Sequence, residues 1–199
     1  MIEGLPLEVP AEERERIYAL GLFVTNENGE VLILQNNQTK EETQKVKGQL
    51  TVPAETLEPQ ERELLKEGLP RTIYEEVGYI YGPKPQFRGT IRMLTPIMPI
   101  VIVAYEIKTT KDAVNINPQD KDELSSPRWL PLSAINARTF KIGNFDVPLF
   151  RTPIVELASN ILKAKNGLRF PVTQTVNSNL DHKLFDYLKQ NPGPVYPVK

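Results

Sequence analysis

Arg71-Thr72-Ile73-Tyr74-Glu75-Glu76-Val77-Gly78-Tyr79 is the stretch whose spacing decides the fold. On a helix, at about 100° per residue, Thr72, Glu75 and Glu76 fall within roughly 100° of one another, while Ile73 and Val77 share an adjoining face suited to a core. Gly78 supplies a C-terminal stop. Arg71 stands at the i,i+4 spacing from Glu75, which suits an ion pair. Two adjacent carboxylates on one polar face repel each other unless a cation neutralises them, although ordinary exposed helices also carry such pairs.

Upstream, Ile17 to Val24 (IYALGLFV) is apolar and rich in strand formers. A turn at Asn26-Glu27-Asn28-Gly29 leads into Glu30 to Leu34, which together predict a hairpin. Asn36 to Gly48 reads as a polar surface loop, and Gln49 to Val52 as a short strand ended by Pro53. Gly68 and Pro70 interrupt the helix formers of 54–78, predicting two helical pieces: one within Gln60 to Glu67, the other starting with Pro70 in its first turn. Downstream, Gln86 to Leu94 and Ile100 to Lys108 predict strands, the second apolar enough to be central. Asp112 to Ser126 reads as a polar loop and Arg128 to Leu132 as a short strand. Thr152 to Lys165 reads as a helix with Thr152 as N-cap and Gly167 after its end. This order predicts an α+β fold with a mixed sheet between helices. The domain is expected over 1–166, followed by a C-terminal extension, 167–199, carrying one short amphipathic helix, Asp181 to Gln190.

Composition removes several chemistries. There is no cysteine, hence no disulfide, thiolate zinc site or cysteine nucleophile, and His182 cannot build a histidine metal site alone. A formal net charge of -1 argues against nucleic-acid or membrane partners held by bulk electrostatics. The N-terminus lacks a signal-peptide pattern, and no apolar run approaches the roughly 18 residues of a membrane span. A cytoplasmic protein is expected.

The 71–79 stretch resembles the second half of the Nudix box, G-x5-E-x7-R-E-U-x-E-E-x-G-U with U aliphatic. Lys47 to Pro53 (KGQLTVP) resembles the strand leading into that box, and Asp122-Glu123-Leu124 with Arg128 to Leu132 (RWLPL) resembles the family's acidic loop and Trp strand. The resemblance covers about residues 17–166 and implies the Nudix fold. It further implies Mg²⁺ or Mn²⁺ on Glu75 and Glu76, and cleavage of a nucleoside diphosphate linked to another group. Glu123, near Asp120 and Asp122, is the candidate general base, alternatively a solvated loop acid. Glu75 is the second candidate catalytic residue. Arg71 and Gly78 are structural parts of the motif.

Three departures stand beside these matches. The Gly-Gly after the proline is Ala54-Glu55. The spacing to Arg71 is two residues too long, so that either Glu61 or Glu63 fits the box, not both. The glutamate expected after the arginine is Thr72, a neutral hydroxyl where an anionic oxygen belongs. The alternative reading is therefore a Nudix-fold protein that has lost hydrolysis and binds a nucleotide-like ligand or regulates.

Arg88 and Arg92 share a strand face and suit diphosphate oxygens, or are ordinary exposed positions. Trp129 suits stacking on a base or, more simply, the core. Leu184, Phe185 and Leu188 form an apolar stripe that predicts packing against the core or against a second subunit in a homodimer.

Overall fold

Strand propensity and period-2 burial build the centre of the molecule. The computed structural model describes residues 17–57, 65–82, 85–97, 99–117, 119, 124–165 and 173–192. Strands β1 (Ile17–Thr25) and β2 (Glu30–Asn36) meet at a turn in which the Asn26 side chain accepts the N–H groups of Asn28 (2.9 Å) and Glu30 (3.0 Å). Gly29 there has φ 74°, which a glycine reaches without strain. Next come β3 (Leu50–Thr51), β4 (Ala54–Thr56), helix α1 (Leu65–Thr72) with a π turn (Ile73–Val77), β5 (Gly78–Ile80), β6 (Pro85–Leu94) and β7 (Ile100–Lys108). They are followed by β8 (Val114–Ile116), β9 (Leu124–Pro131), the β10–β11 hairpin (Thr139–Ile142, Phe145–Pro148), α2 (Thr152–Lys165), β12 (Thr173–Asn177) and α3 (His182–Gln190).

The main sheet runs β12-β6-β7-β1-β2-β3, with β4 also pairing β1 and β9 also pairing β2. Strand β7 is central, antiparallel to β6 and parallel to β1, and nearly all of it is buried. Alternate residues feed two cores. Leu20, Leu22, Val24, Val101, Val103 and Tyr105 join Leu69, Ile73 and Val77 on the α1 side. Phe23, Val31, Ile33 and Ala104 join Ile154, Leu157 and Ile161 on the α2 side. Each fully buried aliphatic or aromatic side chain contributes about 1.5–3 kcal/mol by leaving water, and this fastens both helices to the sheet. The α+β class and the helix–sheet–helix layering match the expectation from the sequence. Among the described residues no helix is long and apolar enough to cross a membrane.

Several local expectations need correction. Pro70 does not start a second helix but lies inside α1, on its exposed side. Buried Leu69, Ile73 and Val77 hold the helix through it, so core packing outweighs the hydrogen bond that proline lacks. The polar 112–126 segment contains β8, paired with β5, and the start of β9, paired with β2. Thr152 is the first residue of α2 rather than its cap, because the Arg151 carbonyl accepts the N–H of Ile154 (2.9 Å).

Strand β12 has no counterpart among the elements expected from the sequence. It lies parallel to β6 from Thr173↔Thr90 to Asn177↔Leu94. Helix α3 begins one residue after Asp181, whose side chain accepts the Lys183 N–H. Its Leu184 and Phe185 are buried with Val46, Val147 and Leu180.

Candidate functional site

The site is assembled where β4 passes the end of α1. Leu22 donates its N–H to the Pro53 carbonyl (2.8 Å), and β4 then pairs with β1 in the register Leu20↔Glu55, Gly21↔Ala54. This register sets Glu55 on the side of the sheet that α1 covers. The chain turns more widely than an α-helix over Ile73–Val77, with Gly78 N–H donating to the Ile73 carbonyl five residues back. The widened turn buries Ile73, Glu76 and Val77 together, and single π turns of this kind frequently sit at functional sites.

The structure separates the two box glutamates. Glu75 stays half-buried and accepts Arg71 Nη1 at 2.6 Å, while Arg71 Nη2 donates to the Thr56 carbonyl (3.0 Å) and Nη1 lies 3.9 Å from Glu55 Oε1. Glu76 is only 3% exposed and accepts the Ala54 N–H at 3.4 Å. Its carboxyl group meets that of Glu55, which also accepts the Thr56 N–H at 2.8 Å. Burial pushes Glu76 well above the usual carboxylate range, and the neighbouring Glu55 charge pushes it further. Burial also raises Glu55, against the opposing effects of its hydrogen bonds and of Arg71.

Thr72 is fully buried, and its hydroxyl donates to the Gly68 carbonyl at 2.8 Å. It faces its own helix and contributes no oxygen to the acid pair.

Two cations that the sequence pattern does not single out complete the surroundings. Lys45 attracts both carboxylates electrostatically. Arg151 is 6% exposed and donates from Nη2 to the Thr43 carbonyl (2.8 Å); its Nε has no hydrogen-bond partner among the described residues. Burial lowers Arg151 to about 10, and the Glu76 charge opposes that shift. Arg151, Lys45, Thr43, Ala54 and Glu55 line a small cavity with room for about one water molecule. Glu55 is visible in the sequence only as a lost glycine, and nothing in the local sequence marks Lys45 or Arg151.

The segment that follows β8 is moored to the same helix end. Gly78 has φ 113°, and a Cβ there would lie 2.6 Å from the Asn115 carbonyl oxygen and 2.7 Å from the Asn117 nitrogen. Asn117 N–H donates to the Val77 carbonyl and Gln119 N–H to the Glu75 carbonyl, each at 2.8 Å. Glu123 lies outside the described residues, as do Asp120, Asp122, Glu61 and Glu63. The residues flanking the acidic stretch, Gln119 and Leu124, are fixed to Glu75 and to Asn36 on β2.

Arg88 is not an open guanidinium. Its Nε and Nη2 grip the buried Glu106 at 2.8 and 2.5 Å, and Thr25 donates to that same carboxylate. Arg92 is half-buried further along β6. Trp129 packs against the α1-side core. His182 contacts Glu41 and, at 3.5 Å, Asp186, far along the chain from the box.

The resemblance implies a divalent cation, and the donor set fits one. Two carboxyl groups in contact are hard oxygen donors, and an ion such as Mg²⁺ keeps several waters and takes one or two protein carboxylates. No group of three or more His, Cys, Asp or Glu side chains that could hold a metal ion gathers among the described residues.

A NUDIX domain model matches residues 15–151. No curated protein matches the chain. Among solved structures it is similar to the MutT protein of Methanosarcina mazei Go1, at 19% identity and TM-score 0.53, covering 75% of this chain and 94% of that one. It is similar to the NUDIX domain of Shewanella oneidensis NrtR, solved with ADP ribose, at 17% identity and TM-score 0.51, covering 80% and 94%. A C. elegans Ap4A hydrolase in a binary complex aligns at 19% identity and TM-score 0.50, covering 76% and 99%. At these identities the structural likeness speaks for the fold. The domain match over most of the chain, together with the widened helix that carries Glu75, Glu76 and Gly78, places this chain in the Nudix family.

Proposed function

We propose that this protein is a divalent-metal-dependent hydrolase of a nucleoside diphosphate linked to another moiety, with Mg²⁺ or Mn²⁺ held at Glu76 and Glu75. The observation that supports it is the burial of the Glu76 carboxyl group against a second carboxyl group. Such a pair costs folding energy unless something positive occupies the site. When bound, the cation polarises the diphosphate and activates water.

The chain's own residues prepare that chemistry. Arg71 fixes the Glu75 carboxylate at 2.6 Å, so the side chain is oriented before any ligand arrives. Lys45 adds positive charge beside the acids, which favours an approaching phosphate. Asn117 and Gln119 are tied to the helix end that carries Glu75, and Glu123, four positions beyond Gln119 in the sequence, is the candidate base. The nucleotide-like ligands named for two structural relatives, ADP ribose and Ap4A, are the first candidates for the ligand class. The same reading assigns a cytoplasmic protein without a nucleic-acid partner.

A specific observation favours a second reading, a ligand-binding Nudix-fold protein without turnover: Thr72 turns its hydroxyl into its own helix, leaving the site one anionic oxygen source short. Titration of the purified protein with Mg²⁺ and Mn²⁺, then phosphate-release assays on nucleotide sugars, dinucleotides and nucleoside triphosphates, separates the two. Metal-dependent turnover supports the hydrolase. Saturable ligand binding without turnover supports the second reading.

A further inference from the structure

We infer that Glu55, which stands where the family pattern has glycine, supplies the metal-binding carboxylate that Thr72 does not. This rests on the metal-dependent reading above and deepens it.

Four observations carry the inference. Thr72 is buried and committed to the Gly68 carbonyl, so no simple rotation brings an anionic oxygen from that position. Glu55 meets Glu76 carboxyl to carboxyl, from a different element and with a different backbone tie. Its position is built rather than adventitious. Strand register fixes its backbone opposite Leu20, the Thr56 N–H holds Oε1 at 2.8 Å, and Arg71 stands 3.9 Å away.

The fourth observation is independent of the acids. Arg151 is almost wholly buried, its Nε lacks an acceptor among the described residues, and it lines the same cavity as Ala54 and Glu55. A buried N–H without an acceptor is costly, and it points to an oxygen-bearing occupant, either water or a phosphate oxygen. Glu55 on one wall and an unsatisfied donor on another leave this small cavity room for one oxygen-bearing group beside the acid. The missing charge of the helix has been moved to the adjacent strand.

The test is Mn²⁺ binding, followed by electron paramagnetic resonance and calorimetry, on wild type, Glu55→Gln, Glu76→Gln and the double variant Glu55→Gly with Thr72→Glu. Circular dichroism and a thermal melt in chelator check that each variant is folded; glutamine preserves the shape of both acids. Wild type should show saturable binding that Glu76→Gln abolishes. Loss of groups that only support a metal ligand already weakens affinity about 10–100-fold, so Glu55→Gln should weaken it by at least about 10-fold. The double variant, which restores the family arrangement, should recover binding to within a few-fold of wild type. Binding in Glu55→Gln equal to wild type overturns the role of Glu55 while leaving the metal-dependent reading intact. Absence of Mn²⁺ binding by wild type overturns both.

Discussion

The hydroxyl of Thr72 donates to the carbonyl of Gly68, one helical turn earlier, at 2.8 Å, and the side chain is sealed from solvent. A longer anionic side chain there must displace core neighbours or turn toward Glu76. Thr72→Glu alone is therefore expected to lower the melting temperature in chelator. Burying an unpaired charge or polar group costs on the order of 1–3 kcal/mol or more. Under the hydrolase reading Mn²⁺ recovers part of that loss. Melts with and without metal check both arms, and identical losses in the two would count against a metal beside residue 72.

Glu76 gives a dependence on pH. Its folded value is raised well above the ordinary carboxylate range, first by burial and then by Glu55. The protonated form is thus favoured by folding, and this contribution is complete below the unfolded value and is lost as pH rises through the folded one. Metal-free wild type should lose stability as pH climbs above about 4.5, its ordinary value, across this window. Glu76→Gln, which cannot ionise, should flatten the curve and melt several degrees higher at pH 8. Melts in chelator across pH 4 to 9 test it; a Glu76→Gln protein less stable than wild type at pH 8 would overturn the assignment.

Gly78→Ala addresses the turn after the π segment. At φ 113° an added Cβ meets the Asn115 and Asn117 backbone rather than a flexible side chain. We expect a loss of more than about 2 kcal/mol, from unfavourable φ combined with the clash. Urea denaturation measures it, and a change below about 0.5 kcal/mol would show that β8 moves aside easily.

Arg88 and Glu106 form an ion pair whose acid is 1% exposed. Removing one partner of a buried pair costs about 3–5 kcal/mol, so Arg88→Met should destabilise strongly. Arg88→Met combined with Glu106→Gln should be less damaging than additivity predicts. If Arg88 instead serves a diphosphate, the single variant would keep its melting temperature and lose ligand affinity.

Which parts of the fold and site are legible in the linear sequence follows a physical pattern. Ile100–Lys108 is legible as a central strand because burial on both faces makes its sequence continuously apolar. The helix face of Ile73 and Val77 is legible through its period. Pro70 misleads because local propensity is weak beside core packing. Strand β12 (Thr173–Asn177) is invisible because Thr-Gln-Thr-Val-Asn carries little apolar content, and its stability comes from the ladder to β6. The pairing of Glu55 with Glu76 joins two elements separated along the chain, and Arg151 reaches the Thr43 carbonyl across 108 positions. Neither spacing leaves a trace in a linear pattern.

The residues beyond α2 bear on the cleft in a way their place in the chain conceals. Strand β12 closes the free edge of β6, while α3 clasps the 39–47 loop: Lys189 and His182 both hold Glu41, and Ser178 donates to Gln44. That loop carries Lys45 and the carbonyl that anchors Arg151. A chain cut after Lys165 would expose an unpaired strand edge, a template for aggregation. It would also remove the ties of Ser178, His182 and Lys189 to the loop that brings Lys45 and the Thr43 carbonyl up to the acids' surroundings.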